Sequence, residues 1–194
     1  MTIAPYRLTS VGAALGAKMI QYVGRWGRVA PAVTPLSPVV DGDVLPTMPW
    51  QTPAAGSAKN IDLVVGHNRD EYRLFTVIAG KQITEEQASA VFRLFAPGPD
   101  GEQSYRAAFP DASAGELYER VQTDWLFNMP TLHLAEAQRS GGGTAYVYEL
   151  TWQAPGFGGV LGACQALDIP LLFGTYGADL GACSSRGRNR PKMP

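Results

Sequence analysis

The sequence is poor in the residues that usually announce a chemistry. It has two cysteines, Cys164 and Cys183, and two histidines, His67 and His133. Two cysteines do not build a disulfide framework, and no C-x-x-C or H-E-x-x-H spacing occurs, so neither a redox pair nor a metal site is expected. Free thiols in a reducing, cytoplasmic setting are the simpler expectation. Charged residues make up 17% of the chain and the net charge is −1, which gives no global pull toward nucleic acid or an anionic membrane. No stretch holds 18 continuous apolar residues, so no membrane span is expected. Nothing matches the glycine-rich phosphate loops or the G-x-S-x-G turn that exposes a nucleophilic serine, and no cofactor is expected. The first two dozen residues mix basic and small apolar side chains, but Lys18 interrupts the apolar run and no cleavage pattern follows, so they are not read as a signal peptide.

Glycine and proline, by contrast, are plentiful: 22 and 15 in 194 residues, within a chain that is 45% hydrophobic. That composition suits one domain with a real core and long connections. Ala13–Val23 permits a helix. From Pro31 to Pro53 the prolines forbid a long one and favour extended surface chain, with an Asp41–Gly42 turn flanked by valines. Ile61–Gly66 is short and mostly apolar and reads as a strand buried on both faces, as in a parallel sheet. The polar "HNRDEYRLF" then runs into a helix. Thr84 with Gln87, and Ser113 with Glu116, have capping-box spacing ahead of apolar residues at helical intervals: Ala88, Val91, Phe92 and Phe95, then Leu117, Val121 and Trp125. Pro130 opens a further helix that Gly141–Gly143 closes. Thr144–Trp152 reads as a second strand. Strand, helices, strand is α/β organisation, and function in such folds gathers at the C-terminal ends of the strands.

The loop after the first strand holds His67, Asn68, Asp70 and Glu71. Asp70 and Glu71 are adjacent and point different ways, so they make a poor acid/base pair. As carboxylates at a helix start they have a simple structural role, and spacing alone favours it. His67 could pair with Glu71 or be exposed; His133 falls in a helical pattern and packs against its neighbours. The stretch after the second strand, "LGACQALDIPLLFG", puts one uncharged amide, Gln165, in a run built for burial. A buried amide without partners costs about 1–3 kcal/mol, so its presence needs a reason.

Three ordered motifs, "SPVVDGDVLP", "LVVGHNRDEYRLF" and "GACQALDIPLLFG", resemble the C-terminal half of a type B carboxylesterase, the esterase–cholinesterase branch of the α/β-hydrolases. "TDWLFNMPTLHLAEAQ" and "AYVYELTW" resemble the family too. The resemblance implies an incomplete α/β-hydrolase fold over residues 16–182, with an unmatched stretch at 1–15 and a disordered basic tail at 183–194. It implies ester hydrolysis of small ester substrates by a Ser–Glu–His triad. Glu71 falls at the acid position, and Gln165 falls where the family has its basic histidine. The serine and the glycines of the oxyanion hole would lie upstream, and Ser10, in "LTSVGA", is not that serine. The chain is therefore expected to be inactive alone, a relic or a partner-binding module, with uncovered apolar surface that could drive self-association.

Overall fold

A computed structural model of the chain describes residues 14, 18–30, 38–80 and 82–175. Ser10, Cys183, the tail and most of the first fifteen residues lie outside them. The chain divides into two compact units, Met1–Pro49 and Trp50–Pro194.

Residues 13 and 15–17 of the expected helix lie outside the described residues; from Met19 onward the first unit has single turns, a 3-10 turn at Met19–Tyr22, helix α1 at Val23–Trp26, and another 3-10 turn at Gly27–Val29. Gly27 adopts a φ of 56°, which ends the α-helix after one turn. Within it Tyr22 stacks on Trp26, ring centroids 4.6 Å apart. The Asp41–Gly42 turn forms as the sequence predicts. Gly42 has φ 82°, and the Asp41 carboxylate accepts the backbone N–H groups of Asp43 and Leu45, each at 3.0 Å.

The second unit holds the remaining elements. Helix α2 (Gln51–Ala54) precedes strand β1 (Asp62–Asn68), and helices α3 (Arg73–Ala79), α4 (Glu85–Phe95), α5 (Gly101–Ala108) and α6 (Ala114–Thr123) follow it. A π-helical turn, Asp124–Asn128, joins α6 to α7 (Met129–Ser140), and strand β2 (Thr144–Leu150), a 3-10 turn (Gly156–Gly159) and α8 (Asp168–Leu172) follow among the described residues. Among the described residues the sheet is two parallel strands, in register from Asp62 opposite Thr144 to Asn68 opposite Leu150. Parallel strands need a crossover, and the helices between them supply it.

Both capping boxes form with their reciprocal bonds, at Thr84–Gln87 and at Ser113–Glu116. They orient α4 and α6 so that Val91, Phe92, Phe95, Leu117 and Val121 bury one another, with Trp125 against Phe95 at 4.6 Å between rings. Pro130 sits in the first turn of α7, and Gly141, Gly142 and Gly143 donate to the carbonyls of Ala137, Arg139 and Gln138 to end it. Helix α7 packs on both strands. Its Gln138 reaches back from the buried side, Nε2 donating to the carbonyls of Ala58 (2.9 Å) and Ile61 (2.7 Å), which fixes the entry into β1.

One expectation is overturned. β1 is not buried on both faces: Val64 is 68% exposed, and its register partner Tyr146 is 57% exposed. Ile61 lies outside the strand and is 65% exposed. An apolar run reports what a strand can bury, and here no described element covers these side chains. Val147 is exposed as well, whereas Val65 and Leu150 are half-buried, Leu150 against the cluster of Ala154, Leu161, Ala163, Cys164 and Leu167. The second strand also stops at Leu150, two residues short of Trp152.

This asymmetry is measurable by urea unfolding. Leu117, 1% exposed between α4 and α6, should lose about 2–5 kcal/mol on Leu117→Ala. Val64→Thr, at an open position, should change stability by less than about 0.5 kcal/mol.

Candidate active site

Because β1 and β2 run parallel, their C-terminal ends open on the same side, and the two chain segments that leave them meet there. The ladder extends one step past the strands, with Arg69 N–H donating to the Leu150 carbonyl at 3.0 Å. Asp70 N–H then donates to the Ala163 carbonyl, and Ala163 N–H returns a bond to Asp70 Oδ2, both at 2.9 Å. Asn68, 1% exposed, donates from Nδ2 to the Cys164 carbonyl (2.8 Å) and to Asp168 Oδ1 (3.3 Å). Residues 68–71 and 162–168, far apart in sequence, are thus zipped together by four bonds.

Glu71 is 7% exposed. Its Oε1 accepts the backbone N–H of Asn68 at 2.8 Å, while Oε2 is buried with no hydrogen-bond partner. Burial pushes its carboxyl above the usual carboxylate range; the Asn68 N–H works against that, and the charge of Asp168 adds to it. Asp168, at the start of α8, accepts from the Tyr148 hydroxyl at 3.4 Å.

Asp70 behaves oppositely. Burial would raise its carboxyl, but the Arg69 hydrogen bond, the Ala163 N–H and the charges of Arg73 and Arg69 outweigh it and hold the group below its ordinary value. Arg69 lies 3.1 Å away and Arg73 3.9 Å. Arg73 Nε in turn donates to Glu119 at 3.0 Å, and Glu119 accepts from the Thr76 hydroxyl at 2.6 Å.

These contacts correct three readings. Asp70 and Glu71 do not cap a helix: α3 begins at Arg73 with Tyr72 as its N-cap, and both carboxylates bond elsewhere. His67 pairs neither with Glu71 nor with solvent. It lies on β1 with a side chain 10% exposed, and its Nε2 is 3.7 Å from Oε1 of Glu149, its register partner on β2. Gln165 is half-buried as a whole residue, although its amide oxygen Oε1 is buried, in contrast to the fully buried Cys164 before it. His133 does pack as expected, edge-on to Trp50 with ring centroids 6.3 Å apart.

Sequence reasoning gave no role to Asn68, Asp168, Tyr148 or Ala166. Asn68 carried a signal: a polar residue closing an apolar strand must satisfy its amide somewhere. Ala166 carried none, since its backbone, at φ 64°, is set by the loop. Among the described residues no three His, Cys, Asp or Glu side chains gather as a metal site requires.

Two outcomes follow from this geometry. Glu71 has a raised folded pKa, so its contribution to stability is present below the unfolded value and is lost as pH rises through the folded one. Glu71→Gln keeps the acceptor for Asn68 and removes the charge. Its Tm should exceed the parent's near pH 8, and the advantage should vanish by about pH 3, where both states of the parent are protonated. Ala166→Gly should stabilise the chain by roughly 0.5–1 kcal/mol in urea unfolding, the left-handed cost of about 1–2 kcal/mol less the extra entropy of unfolded glycine.

Residues 16–184 match the model of the carboxylesterase family. The para-nitrobenzyl esterase of Bacillus subtilis is 28% identical over 139 residues, 71% of this chain and 27% of that protein. Carboxylesterase 1C of Rattus norvegicus is 24% identical over 135 residues, 62% of this chain and 25% of that protein. Among solved structures, a carboxylesterase of Geobacillus stearothermophilus shares the fold with a TM-score of 0.66 at 24% identity, over 95% of this chain and 42% of that one. The chain thus spans about a quarter of the length of the curated relatives it matches. Its parallel strands and helices are part of the α/β-hydrolase fold of these esterases. The chain belongs to the carboxylesterase family.

Proposed function

We propose that Glu71 and Gln165 stand at the acid and base positions of the carboxylesterase triad, and that this chain does not hydrolyse esters by itself. The observation that carries the reading is the zipper at the strand ends, which sets the Glu71 turn directly against the segment 162–168. Glu71 is buried there with one carboxylate oxygen engaged and the other unpartnered, the arrangement of an acid that orients a neighbour.

The chemistry of position 165 sets the activity. A serine hydrolase needs a base with a pKa near neutrality to take the serine proton. An amide nitrogen has its lone pair delocalised and holds no proton in transit at any physiological pH. Gln165 can donate and accept hydrogen bonds as an imidazole does, but it cannot move the proton. Loss of a triad base costs up to about 10⁶ in kcat. The 194 residues also contain no G-x-S-x-G, so no activated serine is supplied from within the chain. In a complete esterase of this family the substrates would be small carboxylic esters. No described helix is long and apolar enough to cross a membrane.

A second reading, a module that binds a partner or its own copies without catalysis, draws on the exposed Val64 and Tyr146, register partners on an open part of the sheet. It predicts concentration-dependent oligomers in sedimentation.

The deciding experiment is a chimera. The purified chain should hydrolyse p-nitrophenyl acetate no faster than a protein blank. Joined to the serine-bearing half of a full-length relative it should remain inactive, and Gln165→His should raise kcat/KM by several orders of magnitude. The pH profile of that variant should show an acidic limb near about 6.5, the ordinary imidazole value, and Glu71→Ala should erase most of the gain. Equal activity with Gln165 retained would refute the assignment of position 165.

A further inference from the structure

We propose that Asp70 is a positioning residue: its carboxylate latches the backbone of Ala163 and so fixes where the side chain of residue 165 is presented. The proposal rests on the reading of Glu71 and position 165 as an acid–base pair, and it assigns to Asp70 a role in that pair which neither member can perform.

Adjacent side chains on a tight turn diverge, and here the divergence divides the labour. Glu71 folds back to the Asn68 N–H and keeps one oxygen unpartnered. Asp70 turns to the opposing segment and closes a two-bond ring with Ala163, its own N–H donating to the Ala163 carbonyl and its Oδ2 accepting the Ala163 N–H. One residue on, Asn68 Nδ2 holds the Cys164 carbonyl. Two consecutive residues, Ala163 and Cys164, are therefore tied by their backbone to the end of β1 and the turn after it, immediately before residue 165.

The latch is braced from behind and closely fitted in front. Arg69 and Arg73 hold the Asp70 carboxylate, and Glu119, itself bonded by Thr76, holds Arg73. Gly162 approaches so near that a Cβ there would lie 2.5 Å from Asp70 Oδ2 and 2.9 Å from Arg73. Its φ of 59° turns the chain into that contact. Ala163 and Cys164 are wholly buried, so the segment has no room to slide. Residue 165 is the first beyond the latch to be partly exposed, and Ala166 then turns the chain away through its left-handed φ. What reaches Glu71 from position 165 is decided by where Asp70 pins position 163.

The test uses the full chain carrying Gln165→His, with the introduced imidazole titrated by NMR and distinguished from His67 and His133 by comparison with the parent spectrum. Paired with Glu71, that imidazole should titrate at about 7.5 or higher against an ordinary value of about 6.5, a tenfold gain in proton affinity. Adding Glu71→Gln should remove the gain. Adding Asp70→Ala should remove it as well, although Glu71 is untouched. Asp70→Asn, which keeps an oxygen to accept the Ala163 N–H but has no charge, should retain most of it. If Asp70→Ala does not fold, Asp70→Ser, one atom too short for the bond, is read in the same way. A gain that Glu71→Gln removes and Asp70→Ala or Asp70→Ser leaves intact overturns the latch alone. Equal losses in Asp70→Ala and Asp70→Asn mean that Asp70 acts by its charge, and also overturn it. A gain that survives Glu71→Gln, or no gain at all, overturns the pairing of Glu71 with position 165 and the latch with it.

Discussion

Asn68 closes β1 with hydrogen bonds from both its backbone and its side-chain amide, and the site is assembled around it. Its backbone N–H holds Glu71; its side-chain amide holds the carbonyl of Cys164 and touches Asp168. The residue is 1% exposed, so none of these groups has water to fall back on. An unmade bond there costs the full desolvation of the group, about 1–3 kcal/mol. That is why two segments so distant in sequence meet at one place: the strand end cannot be buried unless residues 164 and 168 come to it. The parallel register of β1 and β2 brings both chain exits to one side, and Asn68 converts that proximity into a fixed geometry.

The elements legible in the sequence are those whose signals are local. Thr84–Gln87 and Ser113–Glu116 each carry donor and acceptor within four residues, and Leu117, Val121 and Trp125 repeat at helical intervals, so α4, α6 and the turn after α6 could be read from short windows. Pro130 and the Gly141–Gly143 run bracket α7 in the same way. The exposure of Val64 could not be read, because burial belongs to a residue's neighbours and not to the residue; an apolar side chain is as apolar in the open as in a core. His67 illustrates the same point on the polar side. The sequence offers it Glu71, four residues on, yet parallel register hands it Glu149.

The site divides along the same line. The residue types and their order put Glu71 and Gln165 forward as candidates, because the motifs around them resemble a family. The bonds between the segments were not legible, since Ala163 and Cys164 take part through backbone atoms that every residue has. Asp70 shows how a sequence can mislead here. Two acids ahead of a helix have a ready local explanation in the helix dipole, and only the long-range return bond from Ala163 displaces it.

On the reading proposed above, this division bears on what a glutamine in place of a base at position 165 would change. The scaffold of the strand edge is written in Asn68, Asp70, Arg73 and Glu119 and in the backbone of residues 162–164. None of those bonds uses the side chain at 165. Replacing a base at that position by glutamine therefore leaves the zipper's atoms in place, and the amide is close enough in size and polarity to sit where an imidazole sits. What changes is a single property, the presence of a nitrogen lone pair that can hold a proton near neutral pH. Glu71 registers the difference most directly. Its second oxygen is buried, the carboxyl is raised by that burial and by Asp168, and a protonated imidazole opposite it would supply the positive charge that lowers it. An amide supplies none. On the proposed reading, the glutamine preserves the fold of the site and leaves its acid without the charge it was placed to balance.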